Sequence, residues 1–443
     1  MKARKIIASV LAVVIAVALF PWIPTEKMFA LEVIASGSCG PELTYSLDSE
    51  GVLVISGTGE MEEWRTMDLR PWNPYEDDVK KVILSEGVTS VSRKAFMSFE
   101  NMTEAVIPST MRSIDGFTKC SALETILLPE GLFEIGVQAF ALCNRLKTVT
   151  IPSTVEKIGV GAFADCEMLT EIKVAPGNDS FTDADGVLFT KDMSKLIQYP
   201  GAKQQTSYVV PSTVTTIGED AFGYAEQLEE IILPTNLTTL EDSSFSGSGI
   251  QSMTIPSGVT VIPFSAFNSC KKLKSIVMPE NVKELGQFAF RNCQGLEKIV
   301  IENQECVFYD SAETISSDLS ANASKYKGKI YGYANSTAQA YAEKYDLSFV
   351  PLDGIQKGDV DRNGEITLKD AYETLMYCSN HAIGNQAYTF TDGSDATLEA
   401  AVFTAADVDE SSEITLQDAY NILMYSSYQS LGQPKTWEEL LGK

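Results

Sequence analysis

The stretch Leu146-Lys-Thr-Val-Thr-Ile-Pro-Ser-Thr-Val-Glu-Lys-Ile-Gly-Val-Gly-Ala-Phe-Ala-Asp-Cys166 decides the fold, because its pattern returns along half of the chain. A typical copy opens with spaced apolar residues and a proline, continues through a spaced Val and Ile, and ends in Ala-Phe-x-x-Cys. Within each of two runs the copies start 21 to 23 residues apart. The starts are Val79, Met102, Leu123, Leu146 and Leu169, then Leu228, Ile250, Leu273 and Leu296.

A leucine-rich period of this length predicts a solenoid, in which each unit buries its apolar residues only against its neighbours. The strand at the start of a unit must end near a proline such as Pro152 or Pro279, because proline lacks a backbone donor. We therefore expect a β-rich leucine-rich-repeat solenoid over residues 79–301, built of short strands with short helical segments and capped ends.

The Ala-Phe-x-x-Cys repeat resembles the BspA-like (Treponema-type) leucine-rich repeats of bacterial surface proteins. That resemblance covers about half of the chain. It implies an adhesive or binding module rather than an enzyme, with the strand face as the binding surface.

The two ends of the solenoid are predicted to be capped. Residues 31–78 contain two alternating segments around a turn at 48–51, and we expect an N-terminal β-hairpin cap there. Residues 302–352 are expected to form the C-terminal cap, with a strand at 329–333, a helix starting at Ser336 or Thr337, and a strand at 347–352. A short linker, 353–357, follows.

The period breaks between Leu169 and Ser207, where two apolar segments predict a protruding hairpin insertion near 178–206. Two interpretations stay open: a tolerated surface loop or a projection that binds a partner. The unit after Leu228 lacks the cysteine, which predicts a local weak point.

The cysteines follow the repeat, because several are spaced by 23 residues. One column of a solenoid accepts a small buried apolar side chain, so we predict free and mostly reduced thiols rather than disulfides. The eight are Cys39, Cys120, Cys143, Cys166, Cys270, Cys293, Cys306 and Cys378.

A second repeat lies near the C-terminus, where two loops carry oxygen-bearing side chains at positions 1, 3, 5 and 12. This spacing wraps a hard cation such as Ca²⁺, with a backbone carbonyl from position 7. In the first loop these residues are Asp359, Asp361, Asn363, Glu365 (through its carbonyl) and Asp370. In the second they are Asp407, Asp409, Ser411, Glu413 (through its carbonyl) and Asp418.

We predict two Ca²⁺ sites, of which the second is weaker. Ser411 offers a neutral ligand, and Ser412 replaces the permissive Gly364 of the first loop. Thr367 and Asp370 have the spacing of a capping box, which predicts that a helix begins there.

The paired loops resemble a type I dockerin, which implies a small all-α calcium-binding module at 358–430 followed by a tail at 431–443. The partner implied is the cohesin domain of a scaffoldin in a cellulosome-like complex. The near-identity of the halves implies two binding orientations. For Leu375 and Met376 a core role stays open. The implied contacts are Leu368, Lys369, Tyr372, Leu375 and Met376, with Leu416, Gln417, Tyr420, Leu423 and Met424.

Charge and the N-terminus limit the function. A formal net charge of −26 argues against nucleic acid and anionic membranes as partners.

Lys2, Arg4 and Lys5 precede an apolar run and a candidate cleavage site after Ala30, so residues 1–30 are predicted to be a signal peptide. The alternative is an uncleaved anchor. We expect a secreted, extracellular or scaffoldin-attached protein with no membrane span after cleavage.

No catalytic constellation stands out. Triads of the Ser-His or Cys-His kind need an imidazole base, and the only candidate is His381, which stands next to no promising nucleophile and is better interpreted as a plain surface histidine. A glycosidase needs only two carboxylates, yet no block of chain is left for a catalytic domain. Three hypotheses remain: a secreted non-catalytic protein that binds a protein, a cell surface or plant polysaccharide; a carbohydrate hydrolase with its site on the solenoid; and a cell-surface adhesin.

Overall fold

A computed structural model describes most of the chain, and it forms a β-solenoid of about 11 turns followed by a small helical region. The predicted signal peptide (1–30), Asn363, Gly364 and Ser412 lie outside the residues that the structure describes. The described residues are 32–318, 326–352, 357–361, 365–382, 389–390, 402–409, 411, 413–431, 433 and 435–441.

Three antiparallel strands cap the N-terminal end. The expected hairpin is β2–β3, and β1 adds a strand on its outer side. β3 also pairs in parallel with the first solenoid strand, so the cap continues the sheet. The strands are β1 (Val33–Ser38), β2 (Leu43–Asp48), β3 (Val52–Gly57) and β4 (Gly59–Glu60), followed by 3₁₀ helices at Met67–Leu69 and Asn73–Tyr75.

The first stack of turns carries two parallel ladders on different sides of the solenoid. Longer strands form one ladder, which includes β3, β5 and β7 and resumes with β10 and β12. Short strands form the other, in the order β4, β6, β8, β9, β11. The strands are β5 (Lys81–Leu84), β6 (Val88–Ser90), β7 (Glu104–Val106), β8 (Ser113–Ile114), β9 (Glu134–Ile135), β10 (Thr148–Ile151), β11 (Lys157–Ile158) and β12 (Glu171–Val174).

The Ala-Phe-x-x-Cys segment forms the third side, and it differs from the expected short helical segment. Within the described turns at 79–318 it is a series of bends, with Gln138 and Leu142 at φ 56° and 60°. Their amides point along the solenoid axis, and the Phe140 N–H donates to the carbonyl of Ala162 in the next turn at 2.8 Å. A helix would direct these N–H groups back into its own turn, whereas here they join one turn to the next.

All eight cysteines are free, and the five that end repeat units lie in one buried column, as the spacing predicts: Cys120, Cys143, Cys166, Cys270 and Cys293. The Cys143 thiol donates to the Phe117 carbonyl of the preceding turn at 3.2 Å, and Cys293 does the same to Phe267 at 3.1 Å. The column therefore adds one sulfur hydrogen bond between turns. Only Cys378, in the helical region, is partly exposed.

Residues 178–206 form the expected antiparallel hairpin with one further strand, but they do not protrude from the solenoid. They form an antiparallel sheet of three strands, and its last strand pairs in parallel with the next solenoid turn. Val187, Leu188 and Phe189 are fully buried. The strands are β13 (Phe181–Ala184), β14 (Val187–Thr190) and β15 (Lys195–Gln198).

β14 separates two hydrophobic cores. Leu188 belongs to the core of the first stack, whereas Val187 and Phe189 belong to the core of the second. Successive side chains of a strand point to opposite faces, so this one strand closes the first stack and opens the second. The insertion is therefore a structural turn of the solenoid.

The second stack repeats the two-ladder arrangement. β16 begins a new long-strand ladder with β18, and β15 begins the short-strand ladder with β17 and β19. The strands are β16 (Ser207–Val209), β17 (Thr216–Ile217), β18 (Glu230–Ile232), β19 (Thr239–Leu240), β20 (Ser252–Thr254), β21 (Val261–Ile262), β22 (Ser275–Met278), β23 (Glu284–Leu285), β24 (Lys298–Ile301) and β25 (Val307–Phe308).

The C-terminal end of the solenoid is covered by β26 (Lys329–Gly332), α1 (Thr337–Lys344) and β27 (Ser348–Pro351). Ser336 caps α1, since its side chain accepts from the Gln339 amide. β26 and β27 extend the long-strand ladder beyond β24.

The helical region contains α2 (Leu368–Ala382), α3 (Leu416–Ser430) and α4 (Trp437–Leu441), with residues 402–406 also helical. Its small core includes Val360, Ala371, Val402 and Ile422. Every helix in the described part of the chain is too short or too polar to traverse a lipid bilayer.

Candidate functional site

The first acidic loop brings three carboxylates together. Oxygens of Asp359, Asp361 and Asp370 lie within 4.8 Å of one another, and Asp359 and Asp370 are buried. Asp370 comes from the first turn of α2, whereas the other two come from the loop before it. The spacing in the sequence therefore becomes a cluster only because helix and loop fold together.

Hydrogen bonds hold the Asp370 carboxylate in place. Its Oδ1 accepts from the Asp361 amide at 2.9 Å, and its Oδ2 accepts from the amide (2.7 Å) and hydroxyl (3.0 Å) of Thr367. The Lys369 amide in turn donates to the Thr367 hydroxyl. Thr367 thus starts the helix and fixes the direction of the carboxylate, as its capping-box spacing predicts.

The second loop reproduces this arrangement. Asp407, Asp409 and Asp418 form an equivalent cluster within 4.8 Å. Asp418 accepts from the Asp409 amide at 3.3 Å and from the Thr415 amide at 2.8 Å. Two matching sites therefore lie at the starts of α2 and α3, which pack against each other.

The two loops differ in their polar neighbours. Lys369 forms an ion pair with Asp361, with Nζ 2.9 Å from Oδ2, whereas Gln417 at the twin position bonds to Asn421. In the second loop the Ser411 hydroxyl reaches Asp407 Oδ1 at 3.4 Å and the Glu413 carbonyl at 2.9 Å.

The donor sets suit a hard divalent cation. Carboxylate oxygens predominate, and hard cations such as Ca²⁺ bind through oxygen. Burial raises the pKa of the Asp370 carboxyl, because its negative charge is poorly solvated there. A cation would remove that penalty. The side chains of Glu365 and Glu413 are exposed and outside both clusters, so those residues could contribute only their carbonyls.

The predicted partner-binding residues form matching surfaces on the two helices. Leu368 and Leu416 are each 63% exposed, and Tyr372 and Tyr420 are 59% and 54% exposed. The next pair of leucines, Leu375 and Leu423, is also exposed, as are Lys369 and Gln417. The two methionines, Met376 and Met424, are half-buried. Leucines and tyrosines this open on a small helical region form an apolar face without cover among the described residues.

In the part of the chain that the structure describes, His381 contacts a tyrosine of its own helix. Its ring stacks on Tyr377 with centroids 4.0 Å apart, and its Nδ1 lies 3.1 Å from the Tyr377 carbonyl one helical turn earlier. Both contacts are local to α2, and they account for the residue as a structural side chain.

Two residues that sequence reasoning did not identify support the site. Thr374 is fully buried and bonds to the Asp370 carbonyl at 2.9 Å. Trp437, in the predicted tail, stacks on Tyr425 with centroids 4.2 Å apart and packs beside Gly358. A lone tryptophan in a polar C-terminal segment was the available signal.

Comparisons with known proteins address the solenoid. A family model described as "BspA type Leucine rich repeat region" matches residues 75–188 and 199–317 in six copies. No curated protein sequence matches the chain at a significant level.

Solved structures of bacterial repeat proteins are similar to about two thirds of the chain. A leucine-rich repeat protein from Eubacterium ventriosum is 27% identical, with a TM-score of 0.55, over 65% of this chain and 85% of the other. A leucine rich cell surface protein from Faecalibacterium prausnitzii is 21% identical, with a TM-score of 0.40, over 65% and 99%. The pneumococcal vaccine antigen PcpA is 17% identical, with a TM-score of 0.49, over 72% and 99%.

Proposed function

The chain belongs to the BspA-type leucine-rich-repeat family, and from that premise we propose that it is a secreted, non-catalytic binding protein whose C-terminal module attaches it to a partner. The solenoid recognises a protein, a cell surface or a plant polysaccharide. The family match and the cell-surface protein among the similar structures support a surface or secreted location.

A binding role suits the repeat architecture. The long-strand side presents outward side chains in regular rows, and one column of these rows has exposed apolar residues in two pairs of neighbouring units, Val106 with Leu127 and Val209 with Ile232. Leu127 is 86% exposed. Extended surfaces of this kind are what solenoids use for binding. No arrangement of nucleophile and base accompanies them in the described residues.

The C-terminal module acts as a type I dockerin in this proposal. Ca²⁺ is held by Asp359, Asp361, Asn363, Asp370 and the Glu365 carbonyl in the first loop. The second loop uses Asp407, Asp409, Ser411, Asp418 and the Glu413 carbonyl, and binds more weakly. Ca²⁺ here stabilises the folded loop, because the ligands come together only in that state.

The partner is the cohesin domain of a scaffoldin, so the complex is cellulosome-like. The observation that carries this proposal is the duplicate apolar face, in which twin leucines and tyrosines have nearly equal exposure. Either face can meet the same partner surface, since α2 and α3 present matching residues. Binding in two orientations follows from that pseudo-symmetry.

Pull-down of the full chain by an immobilised panel of cohesins, with and without EDTA, tests the proposal. We expect capture by at least one cohesin, and loss on chelation. Tyr372→Ala or Tyr420→Ala alone should retain capture, whereas the double variant should lose it. Tyr309→Ala, an exposed solenoid tyrosine, is the matched control. Calcium-independent capture, or no capture by any cohesin with cell binding retained, would favour the adhesin hypothesis instead.

A further inference from the structure

Both strand ladders and the stack of aromatic rings are interrupted between the first stack and the insertion. β11 makes no ladder pair with β15, and β12 makes none with β16, in the described residues 32–318. The ring stack also stops, because Phe140 and Phe163 are parallel at 5.7 Å but the next stacked pair is Tyr199–Phe222. The end of the first stack therefore meets the insertion through a few single bonds, such as that from the Ile172 N–H to the Gly186 carbonyl at 2.9 Å, and without the regular ladders.

Backbone donors are left over at this interruption. In the preceding turn the amides of Gln138, Phe140 and Leu142 donate to carbonyls of the next turn at 2.8–3.0 Å. Their equivalents one turn later, at Gly161, Phe163 and Asp165, donate to no acceptor in the described part of the chain. Phe163 is 1% exposed. An unpaired buried N–H costs about 1–3 kcal/mol, so a bound acceptor would stabilise this end.

The segment that carries the Gly161 and Phe163 amides forms one wall of a cavity of about 180 Å³. Ile197 and Gln198 of β15 and Phe181 of β13 also line it, so the cavity lies between the first stack and the insertion. About six water molecules occupy this volume in liquid water. It has room for one small ring.

Gln198 supplies a buried polar group. It is 4% exposed, and its side-chain nitrogen is bound to the Tyr199 carbonyl at 3.2 Å. Its side-chain oxygen has no hydrogen-bond partner among the described residues, although the residue lines the cavity. A donor of the ligand can therefore meet this oxygen.

Charge in and around the cavity limits the ligand. Glu219 and Glu241 line it, and both Glu241 oxygens are taken by Lys195 at 2.6 and 2.7 Å. Asp165 is two residues beyond Phe163 in the chain, and its Oδ1 is buried with no hydrogen-bond partner among the described residues. Anions are disfavoured beside these carboxyls, and the N–H donors on the facing wall disfavour cations.

A hydroxyl group is both donor and acceptor, and the apolar faces of Ile197 and Phe181 suit the C–H face of a ring. We propose that this cavity binds a single neutral sugar residue, with the Gly161 and Phe163 amides donating to its hydroxyl oxygens and the Gln198 side-chain oxygen accepting from a hydroxyl. This inference rests on the proposed binding role of the solenoid and names a ligand class and a place for it.

Saturation-transfer NMR of the full chain with glucose, galactose, mannose, xylose and arabinose tests the site. At least one sugar should bind saturably, with an affinity unaffected by EDTA, and glucuronate should not bind. Gln198→Met removes the acceptor and Ile197→Phe fills the cavity, so each should weaken binding at least tenfold. Gln227→Met, on the exposed surface, is the matched control. Thermal melting verifies that all three variants fold.

Two results would overturn the proposal. One is the absence of saturable binding of any of the five sugars, which would leave the cavity to water. The other is unchanged sugar binding in both Gln198→Met and Ile197→Phe. If polysaccharide or cell binding persists in both variants, the proposed function of the solenoid survives and only this site fails.

Discussion

The ring of Tyr199 stacks on the ring of Phe222, with centroids 5.4 Å apart and planes inclined by 30°. Tyr199 comes from the insertion, yet it stands where a phenylalanine stands in the following turns, each stacked on the next at 5.1–5.3 Å. Burial raises the pKa of Tyr199 to about 12. The insertion thus supplies the first ring of the second stack.

Phe189→Ala should therefore destabilise the protein strongly. Phe189 is fully buried in the core of the second stack, and loss of such a side chain costs about 3–5 kcal/mol. Urea denaturation followed by circular dichroism measures this. Phe133→Ala, at an exposed phenylalanine, should cost far less. A negligible effect of Phe189→Ala would restore the interpretation of a surface loop.

The pH dependence of the unfolding free energy should show the titration of the Asp220 carboxyl. Burial, and then repulsion from Asp165, raises the pKa of Asp220 to about 7. A carboxyl with a raised folded pKa destabilises the protein above that pKa, and the penalty disappears as pH falls towards its usual value of 3.8. Asp220→Asn should thus stabilise by about 1–3 kcal/mol at pH 8 and by much less at pH 5.

Asparagine also tolerates the left-handed conformation at this position, where φ is 54°, so the variant changes charge with little backbone strain. Asp179→Asn, on the exposed part of the insertion, removes the same charge and should give no comparable gain. Equal stabilisation by Asp220→Asn at both pH values would contradict the assignment.

The repeat cysteines should resist a thiol reagent. Burial raises the pKa of Cys143 and of Cys270 to about 12, so their reactive thiolate is scarce at pH 8. Titration with DTNB should modify at most Cys378 quickly in the native protein. In denaturant it should count all eight thiols. A lower count after denaturation would indicate disulfides.

Calcium titration of the full chain should find unequal sites. Asp359→Ala should remove the tighter site and Asp407→Ala the weaker one, because only the first loop has Asn363 and Gly364. Isothermal calorimetry distinguishes the two. A greater loss of affinity from Asp407→Ala would reverse the ranking.

The ion pair between Lys369 and Asp361 opposes this ranking in part, because the ammonium competes with a cation for the same carboxylate. Lys369→Gln copies the second loop at this position. It should tighten the first site severalfold, and its effect on the second site should be small.

The spacing of residues along the sequence was sufficient to predict the repeat and the acidic loops. The period of 21 to 23 residues places a phenylalanine in each turn and a cysteine in many of them, and the 12-residue loops place Asp370 and Asp418 beside their own Thr367 and Thr415. These contacts join residues close in sequence, so the residue types and their spacing largely determine them.

The role of the insertion depended on contacts between distant residues. The run Val187-Leu188-Phe189 was a signal for a strand buried on both faces, but which core each face meets is decided by packing. The amides of the left-handed residues Gln138 and Leu142 likewise donate to carbonyls of the next turn rather than to carbonyls of their own turn.

The sequence by itself thus determined the repeat period, the apolar and cysteine columns and the two acidic loops, because each is set by residues within one unit. Only the tertiary structure decided that β14 lies between two cores, that Tyr199 opens the second ring stack, and that the amides of Gly161 and Phe163 face a cavity. These features exist only where separate units meet, and backbone groups find or miss their partners there through the packing of whole turns.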